Sequence, residues 1–136
     1  MGGRVHVVAE RRRMNVSWDD GDGEHERTAG WDDIGELIGS LDGRERTHVS
    51  LGDPETHLVC GGSATDGLVL YVGLRGEIHH LVSGTASGEQ TVELVAAGQP
   101  GEYPSRFVVD LETALRAART FVDHASLESS LEWEQQ

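Results

Sequence analysis

Seven histidines, one cysteine and many carboxylates are the residues of this chain that could do chemistry. Their spacing completes none of the common sites. His79 and His80 are adjacent on a strand-like run, so they point to opposite faces and cannot share one metal ion. His57 and Cys60 stand three apart, but the rest of a zinc set is missing, because Cys60 is the only cysteine. Cys60 also lies in the apolar run Leu-Val-Cys with no activating neighbour in sequence, which makes it a buried, inert thiol. The segment GGSATDG lacks the Gly-Lys-Ser/Thr ending of a phosphate-binding loop, and the chain contains no lysine. Ser63 is not in a nucleophile elbow, since Thr65 occupies the place of the last glycine. The acidic segment DDGDGEHE invites a calcium reading that fails on register. With Gly23 as the turn glycine, the first ligand position is Trp18 and the last is Ala29. The expectation is a protein that is not an enzyme, with no catalytic residues, no metal and no cofactor.

What survives is a surface. Asp19, Asp20, Asp22, Glu24 and Glu26 fall within one short segment whose Asp-Gly pairs read as a hairpin turn. The bland reading is a solvated acidic loop; the functional one is a loop that binds a partner. Trp18 sits at its mouth, where a tryptophan flanked by charge can anchor an interface. Strand alternation equally points it inward. Glu132 and Glu134 alternate with Leu131 and Trp133 near the C-terminus, as in a short strand with an acidic outer face.

The 136 residues suit one domain with one core; with Met14 as the start, residues 1–13 would be an N-terminal extension. With 24 acids against 11 bases, the net charge is -13. Such a field serves solubility, or it steers association with a basic partner. It argues against direct binding of nucleic acid or of an anionic membrane. Every base is arginine, which points to a GC-rich, actinobacterial type of source. No apolar run approaches the ~20 residues of a membrane span. The short apolar start, residues 5–9, is followed by Glu10 and three arginines, unlike a signal core. A cytoplasmic protein is expected.

The elements that must position these residues follow from periodicity. Residues 4–10 suggest an opening strand, and Met14, Val16 and Trp18 alternate with Asn15, Ser17 and Asp19 as in a half-buried strand. Trp31, Ile34, Leu37, Ile38 and Leu41 recur at helical spacing, with Gly43 placed as a C-cap. Gly35 and Gly39 weaken that helix or allow close packing on a sheet. Strands are expected at residues 47–51, 57–61, 68–73, 77–83 and 91–97, with polar loop at 84–88 and an irregular connection at GQPGEYP. Asp110 then caps a helix whose stripe is Leu111, Ala114, Leu115, Ala118, Phe121, Val122 and Ala125. Glu112 precedes Arg116 by four residues, the favourable order for an ion pair. The fold class is α+β: one antiparallel, meander-like sheet of about five to seven strands, with two helices packed mainly on one face.

The order MNVSWDDGDGEHE, TAGWDDIGELIGSL, LVLYVGLRGEIHHLV, GEYPSRFVVDLETALRAARTFV and LEWEQQ resembles the first-numbered immunity protein family of bacterial polymorphic toxin systems. Glu102-Tyr103-Pro104, the helix from Leu111 to Val122 and the terminal Leu131-Glu132-Trp133-Glu134 carry the resemblance, which runs from about Met14 to the C-terminus. HASLESS stands where a Gly-x-Pro-like turn is expected. The resemblance implies an antitoxin-like inhibitor that binds a cognate protein toxin, such as a nucleic-acid deaminase or nuclease, and brings no catalytic residues. The partner-binding candidates from charge and exposure are Trp18, Asp19, Asp20, Asp22, Glu24, Glu26, Glu132 and Glu134. The alternative is a non-catalytic regulatory or binding module, homodimeric through an exposed sheet edge.

Overall fold

The computed structural model describes residues 12–84 and 90–136. The expected opening strand at residues 4–10 lies outside them, as does most of the loop at 84–88.

Period-two alternation builds most of the molecule. Strands β1 (Arg13–Asp19), β2 (Glu24–Gly30), β3 (His48–Gly52), β4 (Thr56–Ser63), β5 (Gly67–Leu74), β6 (Glu77–Val82) and β9 (Glu132–Gln135) form one sheet in the order β2-β1-β3-β4-β5-β6-β9. Every pairing in it is antiparallel. Helices α1 (Trp31–Gly39) and α2 (Leu111–His124) pack on each other and cover one face. Val16, Val49, Leu51, Leu58, Cys60, Leu68, Leu70, Val72 and Leu81 point into that layer, as do Ile34, Ile38, Phe121 and Val122 from the helices. Nonpolar burial of this kind is the main favourable term in folding.

Strands β7 (Thr91–Ala96) and β8 (Gln99–Pro104) form a separate hairpin, so GQPGEYP is a strand rather than an irregular connection. Ala97 and Gly98 turn it, both at positive φ. The hairpin packs on the opposite side of the sheet from the helices. A Cβ on Gly61 of β4 would lie 2.6 Å from the Ala96 Cβ, so only glycine allows this approach. After a 3-10 turn at Ser105–Phe107, Val109 pairs with Leu68 through two backbone hydrogen bonds of 2.8 and 2.9 Å. There the chain passes from the open face of the sheet to the helical one.

The start of α2 follows its sequence signal. The Asp110 carboxylate accepts from the Thr113 amide at 2.9 Å. Its end differs, because Ala125 is not part of the apolar stripe but the left-handed C-cap. Arg116 donates to Ser130 Oγ instead of pairing with Glu112, and the i,i+4 ion pair is Arg119 with Asp123 at 3.0 Å. Helix α1 stops at Gly39 with Ser40 as C-cap, short of Gly43. Gly43 belongs to the next turn, where the Asp42 carboxylate accepts from the amides of Arg44, Glu45 and Arg46. Neither helical glycine packs on the sheet: a Cβ at Gly35 would meet Trp31, and one at Gly39 would meet nothing.

Two substitutions test this packing. Phe121→Ala empties the fully buried centre of α2 and is expected to cost about 3–5 kcal/mol in denaturant unfolding. Gly39→Ala, in open space at a helical position, is expected to add up to about 1 kcal/mol.

Candidate functional site

Register decides which face each charged candidate occupies. Val16 of β1 points into the core, so Asn15, Ser17 and Asp19 point to the open face. Their partners on β2 are Thr28, Glu26 and Glu24. At the other edge, Glu134 lies opposite His80 and Glu132 opposite Val82, again on the open face. The structure therefore sets Glu24 and Glu26 at one margin of the sheet and Glu132 and Glu134 at the other. Six strand spacings separate β2 from β9, roughly 29 Å at ~4.8 Å each. Asp20 and Asp22 lie in the turn between β1 and β2, where the Asp20 carboxylate accepts from the Asp22 amide at 2.9 Å.

Trp18 is on the helical side, apart from Asp19, Glu24 and Glu26. It packs against the core, its ring stacks on His25 at 5.4 Å between centroids, and the Arg27 guanidinium lies 5.9 Å from it. Alternation thus turns it toward the helices, while Asp19, Glu24 and Glu26 of the same hairpin face away from them; the Asp20 carboxylate in the turn lies 2.7 Å from Nε2 of the His25 ring that stacks on Trp18.

Asp19 ties elements together. Its carboxylate accepts from the Thr47 amide at 2.7 Å, the His48 amide at 3.0 Å and the Thr47 hydroxyl. Thr47 is buried, and its Oγ1 also accepts from the Gly98 amide at 2.8 Å. One acid thereby joins the first hairpin, the entry to β3 and the tip of the β7–β8 hairpin. Partial burial raises the Asp19 pKa, but the Thr47 hydroxyl, the two amides and the His48 charge together hold it below the ordinary carboxylate value.

The other candidates keep looser company. Glu24 reaches His48 Nε2 at 3.1 Å, Glu26 accepts from Asn15 at 2.6 Å, and Glu134 pairs with Arg106 at 3.3 Å. All three acids are exposed. The ion pairs of Glu24 and Glu134 are of the kind that adds little to stability and is free to exchange partners.

Catalytic chemistry finds no centre among the described residues. Burial pushes the Cys60 thiol up to about 12, which leaves it protonated and unreactive. His57 lies on the open face and Cys60 in the core, so the two do not meet. His79 and His80 divide between the faces. One group, Asp19, Glu24 and His48, brings its ligand atoms within 4.8 Å of one another. Asp19 there already accepts three hydrogen bonds, and Glu24 and His48 face each other directly. A groove of about 500 Å³ runs between the second hairpin and the β4–β5 turn, with Asp66, Glu93, Glu102 and Arg44 on its walls.

Charge alone did not point to the centre of the open face. Ser50, His57, Val59, Tyr71, Ile78 and His80 are half-buried there, and β3 to β6 present no Asp, Glu or Arg on that side. The available signal was the run LVLYVGL of β5, which is apolar on both faces where a solvated strand alternates.

These features make an α+β protein whose open sheet face carries acids along both margins. The chain belongs to the immunity protein family Imm1, whose model matches residues 22–135. None of the curated proteins searched matches it. The match begins inside the first hairpin and ends in β9, so it takes in both helices and all but the first strand. Among the described residues no helix is long and apolar enough to cross a membrane.

Asp19→Asn tests the structural role of this acid. Loss of charge-assisted bonds at a half-buried site is expected to cost roughly 1.5–3 kcal/mol at pH 7. The folded-state pKa of Asp19 is depressed, so its contribution is fully present above the ordinary value of 3.8 and is lost as pH falls through the lower folded value. In acid unfolding curves the gap between variant and wild type should close below pH 3.8.

Proposed function

We propose that this chain is an immunity protein that binds and neutralises a cognate secreted toxin, a nucleic-acid deaminase or nuclease, through an acidic surface. Membership of the Imm1 family across residues 22–135 is the observation that carries the reading. The charge supports it. A toxin that handles a phosphate backbone needs a basic cleft. A partner at net charge -13 is steered into such a cleft, and exposed carboxylates can pair with its arginines and lysines. Inhibition on this reading is occupation. The chain carries out no reaction and works in the cytoplasm of the producing cell, where it shields its host.

Co-expression tests it. The toxin encoded beside this gene should arrest growth alone, and this chain should restore it. Failure of the wild type to protect would overturn the reading. Reversal of Asp22, Glu24 and Glu26 to arginine, with Asp19 left to hold Thr47, should slow association with the purified toxin about tenfold or more at low salt. An unchanged rate would remove the hairpin acids from the interface.

A further inference from the structure

The open face of the sheet has the anatomy of a docking site. Protein interfaces are depleted of charge at the centre, enriched there in aromatic residues, and polar at the rim. Here β3 to β6 contribute Ser50, His57, Val59, Tyr71, Ile78 and His80 to the middle, and acids stand on both edge strands. The rings form one band. His57 meets Tyr71 edge-on at 6.1 Å, Tyr71 tilts against His80 at 5.8 Å, and His80 against Phe107 at 5.1 Å. Gly73 makes room for it, since a Cβ there would lie 2.4 Å from the His57 ring. Beside the band is a depression of about 340 Å³ lined by Asn15, Ser17, Ser50, His57 and Val59. The buried His57 Nδ1 has no hydrogen-bond partner among the described residues.

The chain's own Arg106 shows what this surface accepts. Its guanidinium lies 4.3 Å from the Phe107 ring centroid and pairs with Glu134 at 3.3 Å. An aromatic face beside a carboxylate suits arginine better than lysine, because the planar guanidinium stacks and forks at once.

Resting on the immunity reading above, we propose that the helix-free face of the sheet, centred on Ser50, Val59 and Tyr71, is where the toxin docks. Its occupant is a protruding, arginine-bearing element of the toxin. That element lies across the strands between the two acidic margins, with an arginine over the ring band and its backbone or small side chains in the depression. The span of roughly 29 Å holds a helix, ~10–12 Å in diameter, or a hairpin lying across it. The helical face, with Glu112 on its outer surface, stays free.

The probe is the purified toxin domain encoded beside this gene, carrying an inactivating substitution, and the readout is its affinity. Ser50→Arg puts a positive charge and bulk into the floor of the face and is expected to weaken binding roughly a hundredfold. Glu112→Arg, on the outer side of α2, should change it by less than about threefold. Ser50→Cys gives a second readout. Its thiol should be alkylated in the free protein and shielded in the complex, while Cys60, at 0% exposure, stays silent. Wild-type affinity for Ser50→Arg, or equal labelling of Ser50→Cys with and without toxin, overturns this face and leaves toxin neutralisation standing. Absence of binding by the wild type overturns both.

Discussion

Two backbone hydrogen bonds between Leu68 and Val109 determine how the molecule is divided. Before Val109 the chain lies on the open side of the sheet, as the β7–β8 hairpin and the 3-10 turn. After it, Asp110 opens α2 on the other side. Val109 takes the place beside β5 that β6 leaves vacant, because β6 pairs only with Tyr71 to Leu74. The chain thus changes faces while remaining hydrogen-bonded, which a buried crossing requires. With α2 fixed there, its stripe of Ala114, Ala118, Phe121 and Val122 meets the sheet and α1. The second hairpin is left to cover only one end of the opposite face.

That division gives the acids different jobs. Asp19 and Asp42 accept from backbone amides and hold turns and strand entries, and Asp110 caps a helix. Glu128 is bound by Ser130 and Thr120, whose hydrogen bonds hold its pKa down to about 2. The exposed acids of β2 and β9 hold nothing comparable together. On the proposed function, stability and recognition draw on different carboxylates, although both sets look alike in the sequence. A net charge of -13 repels itself, and spreading the free acids along two distant margins limits that repulsion.

Much of the fold was legible because its signals are local. Asp110 followed by a 3.6-residue stripe marks a helix, and Asp-Gly between alternating runs marks a hairpin. The α+β class, the antiparallel sheet and the two helices on one face follow from those signals. β8 was not legible, because Pro100, Gly101 and Pro104 read as breakers; a two-stranded hairpin tolerates them at its free edges. Nor could periodicity say which face of a strand is covered. Trp18 and Glu26 alternate correctly in sequence, but only the position of the helices shows that they look in opposite directions. The ring band depends on β4, β5, β6 and the 3-10 turn lying side by side, which no local pattern announces.

On the proposed function, the protein acts by fitting a charged surface to another folded chain. Titration of the purified protein with its neighbouring toxin at two salt concentrations tests that claim most directly. One-to-one binding in the nanomolar range is expected, weakening as salt screens the exposed carboxylates, over a Debye length that shrinks from about 30 Å at 0.01 M to about 8 Å at 0.15 M. No measurable binding at low salt, or an affinity indifferent to salt, would contradict it.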